Sequence, residues 1–349
     1  MRSIAREVER LCRLEFRRLP KPEYVLQKEM TRRIQAEIDE APAAEIEAAE
    51  RALIALATIP KGTDLMKLVR TELAADVAGY YDQRTHALVV LGDATRSLDA
   101  WERIILAHEL EHALADQRLG LPGGDDRETP DGAEDQELAR AALVEGDSTL
   151  LMEAFAVANV SPGAFGSLGS LGSLGSSTQL PHYIEASEMF AYLEGQKFVC
   201  RLYRRGGWAA VDRAYRKLPA STAQILFPQR YIEGERPVDT PALGSPGRGW
   251  KRLDRTAVGA ADLLWLFEAP GNERSRALTT PRRRAAAWAG GQAAIWTRGP
   301  RTTLTLVLAE RRGARPRLCA SMRAWARAAR RPAGAITCSG RLVRASLRA

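Results

Sequence analysis

The stretch His108-Glu109-Leu110-Glu111-His112 sets two imidazoles four residues apart, with a carboxylate beside the first. On a helix, residues i and i+4 stand one above the other on a single face, so both rings reach one metal ion. Glu109 then projects beside that ion, where a carboxylate can take a proton from an attacking water. With only four histidines in 349 residues, this spacing is a rare accident. The pattern predicts a zinc metallohydrolase with one Zn2+ as cofactor and a peptide or protein as substrate. The competing reading is a solvated amphipathic helix carrying ordinary surface histidines.

The surrounding sequence must supply that helix and a third ligand. Asp99 with Glu102 three residues on forms a capping-box pattern, and Gly120 is a stop signal, so one helix spans the motif. Trp101, Ile104, Ile105, His108, His112 and Ala115 share a broad face, which turns the histidines inward. Two inward imidazoles need two separate hydrogen-bonding solutions unless one metal satisfies both.

A second long helix is predicted over 136–157, with Leu138, Ala142, Glu145, Thr149 and Met152 on one stripe. A carboxylate in the middle of an apolar stripe is costly unless paired. Glu145 is therefore the expected third ligand, ahead of Glu134 and Glu137, which lie at the polar start of the helix. His108, His112 and Glu145 would leave a fourth position open for water. Gly146 would let two helices approach closely. Asp116 and Asp147 are candidates to orient a ligand imidazole, and His182, Tyr183, Tyr192 and Tyr231 to donate to the oxyanion formed when water attacks a carbonyl.

Upstream, Tyr80-Tyr81-Asp82 and Ala87 to Leu91 read as a hairpin turning at Gln83-Arg84-Thr85. An edge strand there could bind an extended peptide by strand addition, or could simply be covered structure. Helices are predicted over 4–14, 29–38, 44–56, 65–77, 184–203 and 208–217, and a short strand over 24–26. Residues 163–177 contain a Gly-Ser-Leu repeat expected to be a flexible insert. A Pro/Gly-rich boundary follows Pro237. Beyond it, a hairpin over 292–297 and 302–308 and a helix over 322–330 predict a small α+β appendage.

Composition narrows the class. Forty-five per cent apolar residues can build a real core, and no apolar run reaches the length of a membrane span. The net charge is +8, but eleven arginines and no acid lie from Arg311 onward, so the rest of the chain carries about −3. With no recognition motif, no nucleic-acid partner is expected. Cys12, Cys200, Cys319 and Cys338 show no C-x-x-C spacing and are expected to be isolated thiols. The charged N-terminus has no signal-peptide pattern, so a cytoplasmic location is the default expectation, with export the alternative if the true start lies upstream.

Residues 108–117 resemble the metal helix of the thermolysin-like gluzincins, H-E-L-x-H-A-x-x-D, through His108, Glu109, Leu110, His112, Ala113 and Asp116. The chain is still more similar to a little-characterised bacterial group of zinc metallopeptidases with three motifs. These correspond here to Gly79-Tyr80-Tyr81-Asp82, Ala107 to Gln117, and Ala142-Leu143-Val144-Glu145-Gly146-Asp147-Ser148-Thr149. A weaker likeness runs through Ser221 to Pro228 and Tyr231. The resemblance covers most of residues 10–240 and implies an α+β, mainly helical zincin-like domain over 1–240; the appendage read from the patterning occupies 250–349. It implies zinc on His108, His112 and Glu145, and Glu109 as base. The chain departs from the group at Phe227, where a histidine would be expected before the proline, and in lacking an export signal. The alternatives are a catalytically silent zinc-binding or peptide-interaction module of the same fold, and an anionic-polymer binder acting through the Arg-rich C-terminus.

Overall fold

A computed structural model describes residues 1–73, 78–93, 98–122, 132–159 and 180–349. The Gly-Ser-Leu repeat over 163–177, residues 123–131 and the last four residues of the helix predicted over 65–77 lie outside the described residues.

About 54 per cent of the chain is helical and the strands form two small sheets, which makes the fold α+β. The first sheet is built from β1 (Pro22–Val25), β2 (Gly79–Asp82) and β3 (Ala87–Leu91), in the order β1-β3-β2. β1 pairs parallel to β3, and β2 antiparallel to it. Parallel pairing needs a long crossover, here supplied by α2 (Gln27–Asp39), α3 (Ala43–Ala55) and α4 (Leu65–Leu73). The predicted hairpin forms, with its connection one residue longer than expected because Asp82 pairs with Ala87 and His86 takes a positive φ of 55°.

The motif helix is α5 (Ala100–Leu119). Asp99 accepts from the Glu102 backbone N–H while Glu102 caps the Asp99 N–H, and Gly120 ends the helix at φ 77°. From Leu106 to Ala115 every residue of α5 is buried, so the helix is enclosed on all sides and is not amphipathic. On one side it meets α1 (Arg2–Cys12) and the first sheet, through Val8, Leu88, Val90, Leu110 and Leu114. On the other it meets α6 (Glu134–Asn159), which α7 (His182–Gly206) covers.

The chain continues through α8 (Trp208–Arg216), α9 (Thr222–Leu226) and α10 (Pro228–Ile232) into a second, wholly antiparallel sheet. That sheet is ordered β4 (Lys251–Ala257), β5 (Trp288–Arg298), β6 (Arg301–Glu310), β8 (Leu342–Arg348), β7 (Ile336–Ser339). The hairpin predicted to turn at Arg298 to Arg301 is β5–β6. Helices α11 (Ala260–Glu268), α12 (Pro281–Ala285) and α13 (Leu318–Ala328) pack with it. One apolar cluster runs from Leu143 and Phe198 through Trp265 and Phe267 to Leu306 and Trp325, so the C-terminal sheet shares its core with α6 and α7. Buried Arg230 adds to the join by donating to the carbonyls of Trp288 and Ala286.

Two expectations change here. Cys319 and Cys338 are not isolated thiols; they form a disulfide between α13 and β7, while Cys12 and Cys200 are free. Spacing could not reveal the pair, because only the folded sheet brings the helix and the strand together. The Arg-rich C-terminus is no tail: it forms α13, β7 and β8, and some of its arginines hold the fold, Arg311 on Glu235 at 2.8 Å and Arg331 on the Ile54 carbonyl at 2.6 Å. No helix among the described residues is long and apolar enough to cross a membrane.

A buried acid ties α6 to α9. Asp135 accepts from both the backbone N–H and the hydroxyl of Thr222. Burial pushes its carboxyl up to about 7; Asp262 and Glu134 push the same way, and the Thr222 bonds oppose them. A raised folded-state value means that the stabilisation is complete below the ordinary carboxylate range and is lost as pH rises through about 7. Asp135→Asn, which keeps the acceptor oxygen, should therefore flatten the fall in stability between pH 5 and 8 by on the order of 2 kcal/mol. Denaturant melts of both proteins across that range measure it, and parallel pH profiles would refute it.

Candidate metal centre

α5 places His108 and His112 one turn apart on the side facing α6, and α6 presents Glu145 to them. Both imidazoles are buried. The two Nε2 atoms lie 3.0 Å apart, and Glu145 Oε2 lies 3.2 Å from His108 Nε2 and 3.4 Å from His112 Nε2. Bonds of about 2 Å to a tetrahedral ion put neighbouring ligand atoms about 3.3 Å apart, so this triangle has the dimensions of one face of such a site. Among the described residues it is the only group of three or more His, Cys, Asp or Glu side chains so arranged that they could hold a metal ion. Two imidazoles and a carboxylate also make a borderline donor set suited to a transition-series ion.

Glu145 is held in the ionised form that a metal ligand needs. Burial pushes the Glu145 carboxyl up, but the charge on His112 and hydrogen bonds from both imidazoles outweigh it and hold Glu145 well below the usual carboxylate range. The half-buried Glu145 carboxylate therefore remains ionised beside the two imidazoles.

Glu109, next to His108 in the chain, is buried, with Oε2 accepting from the Tyr81 backbone N–H at 2.9 Å. The hairpin therefore fixes the carboxylate beside the histidines. Burial raises its pKa to about 7; the His108 charge and the Tyr81 N–H pull it down, and Glu145 pushes it up. A base poised near neutrality suits proton transfer at physiological pH.

The remaining candidates separate clearly. Tyr192, on α7, lies against the centre: its ring is 6.3 Å from that of His108 and inclined by 29°. The Glu145 charge first, then burial, then Glu109 and Glu188 raise its phenol, so the hydroxyl stays protonated as a donor. The other three have partners elsewhere. His182 Nε2 lies 3.1 Å from Glu268, the Tyr183 hydroxyl donates to Asp262, and the Tyr231 hydroxyl donates to the Lys217 carbonyl at 2.7 Å. Phe227 has its ring under the Arg230 guanidinium, 4.9 Å from it.

Neither acid expected to orient a ligand imidazole is hydrogen-bonded to one. Asp116 accepts from the Tyr81 hydroxyl at 2.6 Å and pairs with His86 Nδ1 at 2.9 Å, and Asp147 accepts from the Tyr215 hydroxyl at 2.8 Å. The partner of His112 is instead Ser148, whose Oγ lies 3.0 Å from its Nδ1. Its position three residues after Glu145, hence on the same helix face, was the available signal. Ser148→Ala should weaken metal retention about tenfold, read by competition with a chromogenic chelator. Unchanged affinity would show that packing alone holds the ring.

Gly146 does allow a close approach, but to α7 and not to α5. A Cβ at 146 would collide with the Gly195 carbonyl, and one at 195 with the Ala142 carbonyl. The two backbones touch there, and Tyr192, three residues from Gly195, is thereby brought to the metal-facing side.

No protein-family model, curated protein or solved structure matches the chain. Its function must be read from these side chains.

Proposed function

We propose that the chain is a zinc-dependent peptidase of the zincin-like, gluzincin type, with His108, His112 and Glu145 as metal ligands and Glu109 as general base. The observation that carries the reading is the triangle of two buried imidazole Nε2 atoms and one half-buried carboxylate oxygen, with Glu109 held beside it by Tyr81. Zinc bound there would supply Lewis acidity, polarising a scissile carbonyl and easing ionisation of a water. Glu109 takes a proton from the attacking water and passes it to the leaving amine. Tyr192 donates a hydrogen bond to the oxygen on which charge develops.

The hairpin supports a peptide as substrate. Tyr81 turns its N–H away from β3 to Glu109, so by strand alternation the remaining outward backbone groups of Gly79 and Tyr81 lie on the edge of β2 that no other strand among the described residues pairs with, beside the centre. An extended chain can pair there by strand addition. The Cys319–Cys338 disulfide supports an oxidising location, and so export over a cytoplasmic one.

Chelator-stripped protein should fail to digest a peptide library, and one equivalent of Zn2+ should restore digestion. Hydrolysis persisting in the stripped protein would overturn the reading. A silent zinc-binding module is the second reading, favoured by Phe227 in place of the expected histidine; stoichiometric zinc without cleavage of any library peptide would establish it.

A further inference from the structure

A cleft of about 670 Å³ opens at the turn end of the hairpin, lined by Tyr81 and His86 together with Arg17, Arg18 and Lys21. The basic wall is a fixed element. Gln117, on α5, accepts from the backbone N–H groups of both Arg17 and Arg18 and donates to the Arg18 carbonyl. The three cationic side chains are exposed, and no carboxylate among the described residues pairs with them. Among the described residues the one acid lining the cleft is Asp116, whose Oδ2 is engaged by the Tyr81 hydroxyl and His86. Positive charge therefore dominates the wall.

Tyr81 links this cleft to the centre. Its ring lines the cleft while its N–H holds Glu109. From Glu109 to Gln117 is eight residues of α5, or about 12 Å. A strand advances about 3.4 Å per residue, so the cleft lies three to four residues of extended peptide from the reacting carbonyl. Antiparallel pairing, the more stable kind, runs a peptide from the Asp82 end of β2 toward Gly79, which sets the residues before the scissile bond in the cleft.

Resting on the peptidase reading, the geometry points to a subsite for acidic side chains: Arg17, Arg18 and Lys21 select peptides with Asp or Glu three or four residues before the scissile bond. The cations contribute through electrostatic complementarity with that segment of substrate.

Two measurements on the zinc-loaded full chain test this. In a peptide-library digest read by mass spectrometry, wild-type cleavage sites should be enriched in Asp and Glu at those positions. The combined variant Arg17→Glu, Arg18→Glu, Lys21→Glu should move the enrichment to Lys and Arg, and should lower kcat/KM on an acidic peptide about tenfold while leaving its glutamine counterpart unchanged. These side chains are exposed and the backbone bonds of Arg17 and Arg18 to Gln117 are retained; Arg18→Gln, with a smaller loss of the same sign, guards against misfolding. An unchanged preference overturns the proposal. If wild type cleaves nothing, the peptidase reading fails, and the cleft is judged by fluorescence anisotropy. A labelled peptide with four glutamates should bind more tightly than its glutamine counterpart, and the variant should abolish the difference; equal binding overturns the subsite.

Discussion

Glu109→Gln should leave metal content at one equivalent and lower kcat by about 10²- to 10⁴-fold, with little change in KM. The amide nearly matches the carboxylate in size and can keep an oxygen on the Tyr81 N–H, so the hairpin should stay docked. Only the proton-accepting function is removed. The carboxyl it replaces is raised to about 7, chiefly by burial. A metal ion beside it would lower that value, so the acid limb of the wild-type rate profile should fall below 7 when the ion is bound. The activity is lost as pH drops through that limb, because a protonated Glu109 cannot accept the proton. In the variant the limb should vanish along with most of the rate. Metal analysis and a pH–rate profile on the same preparation separate the alternatives. Hydrolysis retained at wild-type rate would remove Glu109 from the chemistry, whereas loss of the metal would show that it holds the centre together.

The centre was more legible in the sequence than the frame around it. His108, Glu109 and His112 follow from helical spacing, and Glu145 from an acid stranded on an apolar stripe; both signals are local. The capping box and the hairpin were readable for the same reason. What was hidden depends on partners distant in the chain. Ser148 is an ordinary helix-interior serine until His112 is set beside it, 36 residues away in sequence. The disulfide needs α13 to meet β7. Glu111 reads as a polar residue of the motif helix, yet it is buried against Asp147, Asp212 and Cys12, and burial holds its carboxyl well above the ordinary range. The two halves of the chain read as separable across a Pro/Gly-rich stretch. In the fold, Val238 donates to the Ala289 carbonyl and Arg51 to the Thr302 hydroxyl, so that stretch and an N-terminal helix both lie on the second sheet.

Gly146→Ala should destabilise the protein by about 3 kcal/mol, at the upper end of what overpacking costs, although helix propensity alone predicts the opposite sign. In an open helix, alanine would gain about 1 kcal/mol over glycine. Position 146 is not open. The added Cβ would fall on the carbonyl of Gly195 and 2.7 Å from the Gln196 nitrogen, and both obstacles are backbone, which cannot rotate away as a side-chain tip would. Relief requires α7 to move as a body, and α7 carries Phe198 and Val199 in the core and Tyr192 at the centre. The same substitution should therefore cost activity beyond its cost in stability: Tyr192 shifts away from His108, and kcat falls even where the protein is fully folded. Glu145 stays on its own helix, so zinc affinity should change far less. Urea melts, zinc competition and kcat measured well below the melting temperature distinguish these effects. A variant as stable as wild type would mean that α6 and α7 are not in backbone contact at Gly146 and Gly195. A destabilised variant with unchanged kcat would mean that Tyr192 does not depend on that contact for its place.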